Sequence, residues 1–355
     1  MPVIEYSERS EMKTVVRTIV LIVLVLADIA NAYADEPEIP KALHALIVQG
    51  IDLTLRQQYD RADSVIQIAT ERYPQNPLGY LYQAGVMEAK SMDYLDPLNF
   101  GKFDSLLAIA RTQAQKIVDR FPRSPLGHYY LGTAIGYDAY AQVDAGNWFA
   151  GILKGLSAAS EFQKSMSLDS SFYDAYVGVG TYFYWKSRKM EFLNWMLGDR
   201  RAEGIRLLEI AADKADYNRF TALSVLTAIY LDTGQYKLSE ERADRALDYY
   251  PENRIFLGEL AEAQEQSGNY AGTLATYKRL LVSILAARIA NPYGEIACRM
   301  HIVRAQLALK ETQGIDTQIE AILAFENRTF PDALKARAKD KFEQAKTIRK
   351  ELAAQ

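Results

Sequence analysis

The sequence predicts an all-α protein made of antiparallel helix pairs stacked side by side. Two stretches of the 355-residue chain, 223–251 and 257–280, align on one another when one is shifted by 34 residues. Both place a glycine two residues before a tyrosine, at Gly234 and at Gly268. A helix, a tight turn and a second helix at this period are typical of a solenoid of helical repeats. Elsewhere prolines separate segments whose apolar residues recur every three or four positions, which indicates helices throughout.

Four earlier repeats follow from the same frame. The first starts near Ala42, and the next three start near Pro77, Pro125 and Ala175. After the sixth repeat we expect a seventh, degenerate one, so that a solenoid of six to seven repeats covers residues 35–330. Residues 331–355 are predicted to form a capping helix, because the end of a solenoid needs a polar outer face.

Repeats two to four are longer than the usual period by about 12–14 residues. We place this excess between the two helices of each repeat, in the segments 91–104, 138–151 and 186–198. Equivalent insertions in neighbouring repeats lie on one face of a solenoid, which is often the binding face. Each insertion is also expected to pack a small core of its own against the solenoid. The apolar residues available for that core in repeat four are Phe183, Phe192, Trp195 and Met196.

The N-terminus has the order of segments found in a secretory signal peptide. Lys13 and Arg17 precede an apolar run over 18–27, and a small-x-small cleavage sequence, Ala32-Tyr33-Ala34, follows it. The run is about half the roughly 20 residues that a membrane-spanning helix needs. We therefore expect a signal peptide over residues 1–34 and an exported, periplasmic protein that meets the membrane only transiently, through that peptide.

Two alternatives concern the same segment. An uncleaved N-terminal helix would instead anchor the chain to the membrane. In addition, residues 1–11 contain Glu5, Glu8 and Glu11, whereas the start of a signal peptide is normally basic. Translation is therefore hypothesised to begin at Met12.

Composition excludes several classes of function. A content of 49% hydrophobic and 24% charged residues is that of a folded chain, and a net charge of −4 lacks the basic excess that nucleic-acid binding needs. The single cysteine, Cys298, is interpreted as a small buried apolar residue. Three scattered histidines give no zinc-ligand spacing, and no nucleophile or phosphate-binding motif occurs. We expect no metal, no cofactor and no catalysis.

The repeats resemble the tetratricopeptide repeat (TPR) family over residues 42–310. The sequences DAYVGVG at 174–180 and GDRRAEGI at 198–205 are similar to those of exported bacterial TPR proteins of unassigned activity. They are more weakly similar to the eukaryotic inclusion-body-clearance family of TPR proteins. The resemblance implies a right-handed superhelix with an open concave groove that binds peptides or partner proteins without catalysis.

In a TPR superhelix the first helix of each repeat lines the groove, and this gives candidate contact residues in repeats three and four. Tyrosine and tryptophan supply contact area at low entropic cost, and arginine can pair with a partner carboxylate. The candidates are Tyr129, Thr133, Tyr137, Asp174, Thr181, Tyr184, Trp185 and Arg188. The competing interpretation of this aromatic cluster is packing within the solenoid. Asp199 is predicted to be the N-cap of the helix that follows it.

Three function classes remain open from the sequence. The first is an exported adaptor that holds a peptide or partner protein in its groove. The second is an assembly or structural component of the cell envelope, which uses the convex face or the C-terminal helix. The third is a small-molecule or glycan binder that uses the aromatic insertions of repeats two to four. The identity of the partner and the oligomeric state are not predicted.

Overall fold

The computed structural model describes residues 38–95, 98–144 and 146–354. Residues 39–355 form one compact unit. The predicted signal peptide and the alternative start at Met12 lie outside the described residues. Among the described residues, no helix combines the length and the apolar character needed to cross a bilayer.

The described part of the chain is all-α, as predicted, with no strand. It contains sixteen α-helices and one short 3₁₀ helix, Glu191–Leu193. The α-helices are α1 Lys41–Leu55, α2 Tyr59–Arg72, α3 Pro77–Tyr94, α4 Phe100–Arg120, α5 Pro125–Asp144, α6 Trp148–Leu168, α7 Asp174–Lys189, α8 Asn194–Leu197, α9 Arg201–Lys214, α10 Arg219–Asp232, α11 Tyr236–Leu247, α12 Arg254–Gln266, α13 Tyr270–Ala286, α14 Pro292–Ala308, α15 Ile315–Leu323 and α16 Asp332–Ala353.

These helices form seven successive pairs and a final helix, α16, that packs on α14 and α15. The fourth pair consists of α7 and α9, with the 3₁₀ helix and α8 between them. The first helices of neighbouring pairs also contact each other, from α1 through α3, α5 and α7 to α10 and α12. They form an inner layer, and the more exposed second helices form the outer layer of a superhelical solenoid. We call the turn inside a pair a hairpin turn and the turn between pairs a linking turn.

Asparagine side chains begin many of the helices. Asn76 accepts a hydrogen bond from the backbone N of Leu78 at 3.0 Å, and the helix then starts with Pro77, which has no N–H to satisfy. Asn253 accepts from the backbone N of Ile255 and of the residue after it, at 3.0 and 3.1 Å. These caps satisfy backbone donors that a helix leaves unpaired at its first turn.

The hairpin turns explain the glycine signal in the sequence. Gly234 and Gly268 have φ values of +70° and +76°, which glycine adopts without the steric cost that a Cβ brings. In the first pair the equivalent position is Gln57, which adopts the same left-handed conformation with φ 59°.

The predicted insertions in repeats two and three are not separate segments, and that prediction is wrong. The extra residues lengthen the helices themselves, since α3 to α6 have 18, 21, 20 and 21 residues, compared with 14 and 12 in α10 and α11. A helix can lengthen in this way because its partner in the pair lengthens with it. Only repeat four inserts new elements, the 3₁₀ helix and α8.

The small core predicted for repeat four is also wrong in most of its members. Phe183 is buried, but Phe192, Trp195 and Met196 are exposed. Asn194 ties this short segment to α7 by donating to the carbonyl oxygen of Ser187 at 3.0 Å, whereas these three apolar side chains stay exposed to solvent.

Helices α7 and α9 meet at two glycines. A Cβ on Gly204 would lie 2.6 Å from the carbonyl oxygen of Gly180 and 3.0 Å from the backbone N of Tyr184. Real Cβ atoms do not approach backbone atoms so closely, so the fourth pair depends on the missing side chains at this crossing.

We expect Gly204→Ala to lower the free energy of unfolding by about 1–3 kcal/mol, because backbone atoms must shift to admit the methyl group. Gly258→Ala is the matched control, since nothing lies within 4 Å of a Cβ at that helical position. The control is expected to be neutral or to add up to about 1 kcal/mol. Urea unfolding of both variants measures the difference, and equal stabilities would contradict the close approach.

Candidate functional site

The inner face of the first three pairs is contacted by linking turns from later in the chain. His44 Nδ1 lies 2.6 Å from the hydroxyl of Tyr217, which is in the turn between α9 and α10. The Tyr217 ring also packs against the ring of Tyr82, with centroids 5.8 Å apart. One residue later, the amide of Asn218 donates to the hydroxyl of Tyr129 at 2.7 Å.

The next linking turn contacts the end of α1. The hydroxyl of Tyr250 donates to Asp52 Oδ1 at 3.1 Å, and the amide of Asn253 donates to the carbonyl oxygen of Leu55 at 2.7 Å. Leu55 also packs against the apolar cluster of the fourth to seventh pairs. Parts of the chain separated by 198 residues are therefore in direct contact here.

A buried ion pair forms the centre of this closure. The guanidinium of Arg254 pairs with the carboxylate of Asp93, and the distance from Nε to Oδ1 is 2.8 Å. The two side chains are only 11% and 1% exposed. Tyr59 donates its hydroxyl to the same carboxylate at 3.0 Å, and the amide of Asn291 donates to the backbone oxygen of Asp93 at 3.1 Å. Three linking turns thus fill the inner face where an open groove was expected.

Three of the eight predicted contact residues are buried and bonded within the chain. Tyr129 is held by Asn218. The carboxylate of Asp174 accepts from the backbone N of three successive residues, 216 to 218, at 3.2, 3.0 and 2.8 Å. Burial raises the pKa of Asp174, although these hydrogen bonds oppose the shift. Tyr184 is fully buried and donates to Asp232 Oδ2 at 2.7 Å.

The other five predicted residues are partly exposed. Thr133 donates to a carbonyl oxygen of its own helix at 2.9 Å, and Tyr137 packs edge-on against Phe103 at 5.7 Å. Within the described part of the chain, the Thr181 hydroxyl makes no hydrogen bond. The remaining two predicted contact residues, Trp185 and Arg188, lie on the same helix as Thr181, α7.

Trp185 and Arg188 are held in fixed orientations. The Trp185 ring stands edge-on to the ring of Tyr184, with centroids 5.0 Å apart. Arg188 donates from Nε to Asp232 Oδ2 at 2.8 Å, and its Nη1 lies 3.4 Å from Glu191. Thr181, Trp185 and Arg188 therefore form a small accessible site on the inner layer, which we call the α7 site.

Asp199 is not the N-cap of α9, as predicted, but lies one residue before the N-cap position. Arg200 occupies the N-cap position of α9 and its side chain caps nothing. Asp199, one residue earlier, accepts from the backbone N of Arg201 at 3.0 Å and pairs with its guanidinium at 2.6 Å.

The histidines and the cysteine have partners within the fold. His128 is buried, with Nδ1 2.6 Å from Glu161 and Nε2 3.0 Å from the carbonyl oxygen of Pro122. Cys298 is buried, as interpreted from the sequence, and burial raises the pKa of its thiol to about 12. Within the described ranges, no group of His, Cys, Asp and Glu residues is arranged to hold a metal ion.

A second candidate surface is apolar and lies at the hairpin turns of the third and fourth pairs. Its exposed side chains are Trp148, Phe149, Leu153 and Leu156 of α6 together with Phe192, Trp195 and Met196 of the fourth pair. We call this set the apolar tip. Phe149, Phe192 and Trp195 are 76%, 74% and 83% exposed, so they project into solvent.

A buried carboxyl group joins two inner helices, α10 of the fifth pair and α12 of the sixth. Glu259 of α12 accepts from the hydroxyl of Ser224 on α10 through Oε1. Its Oε2 atom is buried and has no hydrogen-bond partner among the residues that the structure describes. Burial raises the pKa of this carboxyl group from 4.5 to about 8.

A cavity of about 250 Å³ lies beside the first cross-solenoid contact. Lys41, Lys214 and Asp216 are exposed at its rim. The other residues that line it are Ile39, His44, Ser171, Phe172, Tyr173, Asp174 and Tyr217. It is separate from the aromatic hairpin turns that the glycan-binding alternative invokes.

Comparisons with known proteins identify the fold. No family profile matches the sequence, and no curated protein is similar to it. The crystal structure of the APC/C hetero-tetramer Cut9–Hcn1 aligns with a TM-score of 0.54 at 15% identity, covering 86% of this chain and 49% of that chain. The chain thus spans about half the length of that solved protein. This likeness shows the fold, a TPR superhelical solenoid.

Two other solved structures are similar at lower scores. The C-terminal part of a TPR repeat-containing protein from Cytophaga hutchinsonii has a TM-score of 0.43 at 15% identity, covering 83% of this chain and 98% of that chain. The human IFIT1 dimer with PPP-AAAA has a TM-score of 0.41 at 10% identity, covering 88% and 83%.

The cross-solenoid ion pair predicts a large loss of stability on truncation. We expect Arg254→Ala to lower the free energy of unfolding by about 3–5 kcal/mol, because it leaves the Asp93 carboxylate buried without its counter-charge. Arg288→Ala is the control. It removes another cross-solenoid pair, to Asp60 at 3.5 Å, whose arginine is 87% exposed, and should cost at most about 1 kcal/mol. Similar losses in urea unfolding would show that the Arg254 pair is not buried.

Glu259 predicts a specific pH dependence. Because folding raises the pKa of its carboxyl group from 4.5 to about 8, its ionisation opposes folding. Its contribution to stability is therefore fully present below about pH 4.5 and is lost as the pH rises towards about 8. We expect Glu259→Gln to flatten this part of the profile and to stabilise the protein at pH 8 by roughly 1–4 kcal/mol. The control Glu311→Gln, at an exposed position, should leave the dependence of stability on pH unchanged. The same result for Glu259→Gln would contradict the burial of its carboxyl group.

Proposed function

We propose that the chain is an exported, non-catalytic scaffold that binds a segment of a partner protein at the α7 site. The fold supports the general role, because stacked helix pairs expose extended surfaces that suit binding. The observation that carries the choice of site is the fixed, accessible pair of Trp185 and Arg188 on the inner layer. The order of segments at the N-terminus supports export.

The chemistry of the α7 site suits a peptide segment. Trp185 offers an apolar ring whose orientation is already set by Tyr184, so little side-chain entropy is lost on binding. The Arg188–Asp232 pair places donors and an acceptor next to that ring, and the two side chains are 41% and 25% exposed. A partner segment with one apolar side chain and exposed backbone amides would satisfy both features.

A non-catalytic role agrees with the use of the reactive side chains. His128 and Cys298 are buried and hydrogen-bonded within the solenoid, where a substrate has no access to them. The perturbed carboxyl groups of Asp174 and Glu259 are also buried between inner elements.

Capture of partners from the native host tests this proposal. Trp185→Ala and Arg188→Ala should each reduce capture of the partner at least about tenfold, because tryptophan and arginine side chains are frequent hot spots of binding energy. Leu285→Ala is the matched control, since this exposed apolar residue lies on the outer helix α13. Tyr184→Ala is unsuitable because that side chain is fully buried.

Thermal unfolding must first show that both variants retain the fold. Crosslinking followed by mass spectrometry then identifies the partner and the residues that it touches. Partners that bind both α7-site variants as tightly as the unmodified chain would rule out the α7 site.

A further inference from the structure

The apolar tip shares no residue with the α7 site but borders it, since Arg188 pairs with Glu191, the residue before Phe192. The tip calls for its own explanation. It belongs to the hairpin-turn edge of the solenoid, whereas the cross-solenoid contacts are made by the linking turns. Soluble proteins seldom expose a cluster of large apolar side chains without an interaction to satisfy it.

The two halves of the tip are joined into one surface. The Nζ atom of Lys189, at the end of α7, lies 4.6 Å from the centre of the Trp148 ring on α6. Helices α6 and α7 also pack against each other along this region. In the second pair, the exposed Met92 and Phe100 occupy the corresponding hairpin turn. The apolar edge therefore extends over consecutive pairs.

The aromatic rings of the tip protrude into solvent. Phe149, Phe192 and Trp195 are the most exposed of its side chains, and each projects from the start of a helix or from a turn. Partner proteins usually hold aromatic anchors in matching pockets on a rigid surface. The interface of a bilayer accepts protruding aromatic rings without such pockets, and tryptophan is enriched at that depth.

Charge around the tip favours phosphate headgroups. Lys186 and Lys189 lie at the end of α7, and neither is within ion-pair distance of a carboxylate in the described part of the chain. The acidic residue nearest to them in sequence, Glu191, is already paired with Arg188 and Arg201. Two lysines without an ion-pair partner among the described residues thus lie beside the aromatic rings. Lys189 contacts the Trp148 ring and adds to the effect of Arg188 in lowering the pKa of the Asp232 carboxyl group.

We propose that the apolar tip docks onto the interfacial region of a phospholipid bilayer. Trp148, Phe149, Phe192 and Trp195 enter the headgroup layer, and Lys186 and Lys189 contact the lipid phosphates. The solenoid then lies on the membrane by its hairpin-turn edge. This inference goes beyond the proposed scaffold function, because it assigns a second surface with a different ligand.

The tryptophans of the chain give a direct test. The sequence has three, Trp148, Trp185 and Trp195, so fluorescence reports only on the tip and on the α7 site. Full-length variants that keep one tryptophan each, with the other two changed to Phe, are mixed with phosphatidylcholine vesicles. We expect a blue shift and quenching by brominated lipid for Trp148 and Trp195, and neither for Trp185. Added phosphatidylglycerol should strengthen the binding, and salt should weaken that increase.

A double variant then measures the contribution of the rings. Phe192→Ser with Trp195→Ser removes two exposed side chains and should leave the fold intact, which thermal unfolding checks. We expect the vesicle affinity, followed through Trp148, to fall about a hundredfold, or roughly tenfold for each ring. Val282→Ser, at an exposed apolar position on outer helix α13, should leave the affinity unchanged.

Three results would overturn the proposal. One is the absence of any spectral change with vesicles of either composition. Another is equal quenching of Trp185, which would mean that the whole chain inserts or unfolds. The third is a blue shift of Trp195 that depends on protein concentration without vesicles, because a second copy of the chain would then cover the tip.

Discussion

The closed shape of this solenoid depends on the burial of one carboxylate, that of Asp93. A buried charge must be paired and hydrogen-bonded. The Asp93 carboxylate is paired with Arg254, a residue 161 positions away, and accepts a hydrogen bond from Tyr59. The ion pair therefore couples the second helix pair to the start of the sixth. The contacts of Tyr217 and Tyr250 run along the same inner face and follow the geometry that this coupling fixes.

Closure decides which surfaces remain for partners. In an open TPR superhelix the first helices line an empty groove, but here linking turns contact that face along the first three pairs. Tyrosines that looked like groove residues, such as Tyr129 and Tyr184, instead form part of the core. The two surfaces that we propose for partners are the α7 site and the apolar tip. A scaffold with two such surfaces could hold a protein partner close to a membrane.

The sequence was sufficient for the fold class because repeats five and six use glycine in their hairpin turns. It was less informative for the first pair, where Gln57 adopts the left-handed conformation without a glycine signal. The sequence also predicted that Trp195 is packed in a small core, whereas the side chain is exposed. Apolar composition alone does not show whether another helix packs against a segment. The Asp93–Arg254 pair was beyond sequence reasoning altogether. Its residues meet through the cumulative twist of three intervening pairs, and no local pattern encodes that twist.

The most direct test of closure is a short amine-reactive crosslink within the monomer. Lys41 of α1 and Lys214 of α9 line the same small cavity, although they belong to the first and fourth pairs. A closed solenoid predicts that mass spectrometry of the monomeric fraction recovers a peptide joining these two lysines. If Lys41 and Lys214 instead react only with lysines of their own or adjacent pairs, the solenoid is open and closure is contradicted.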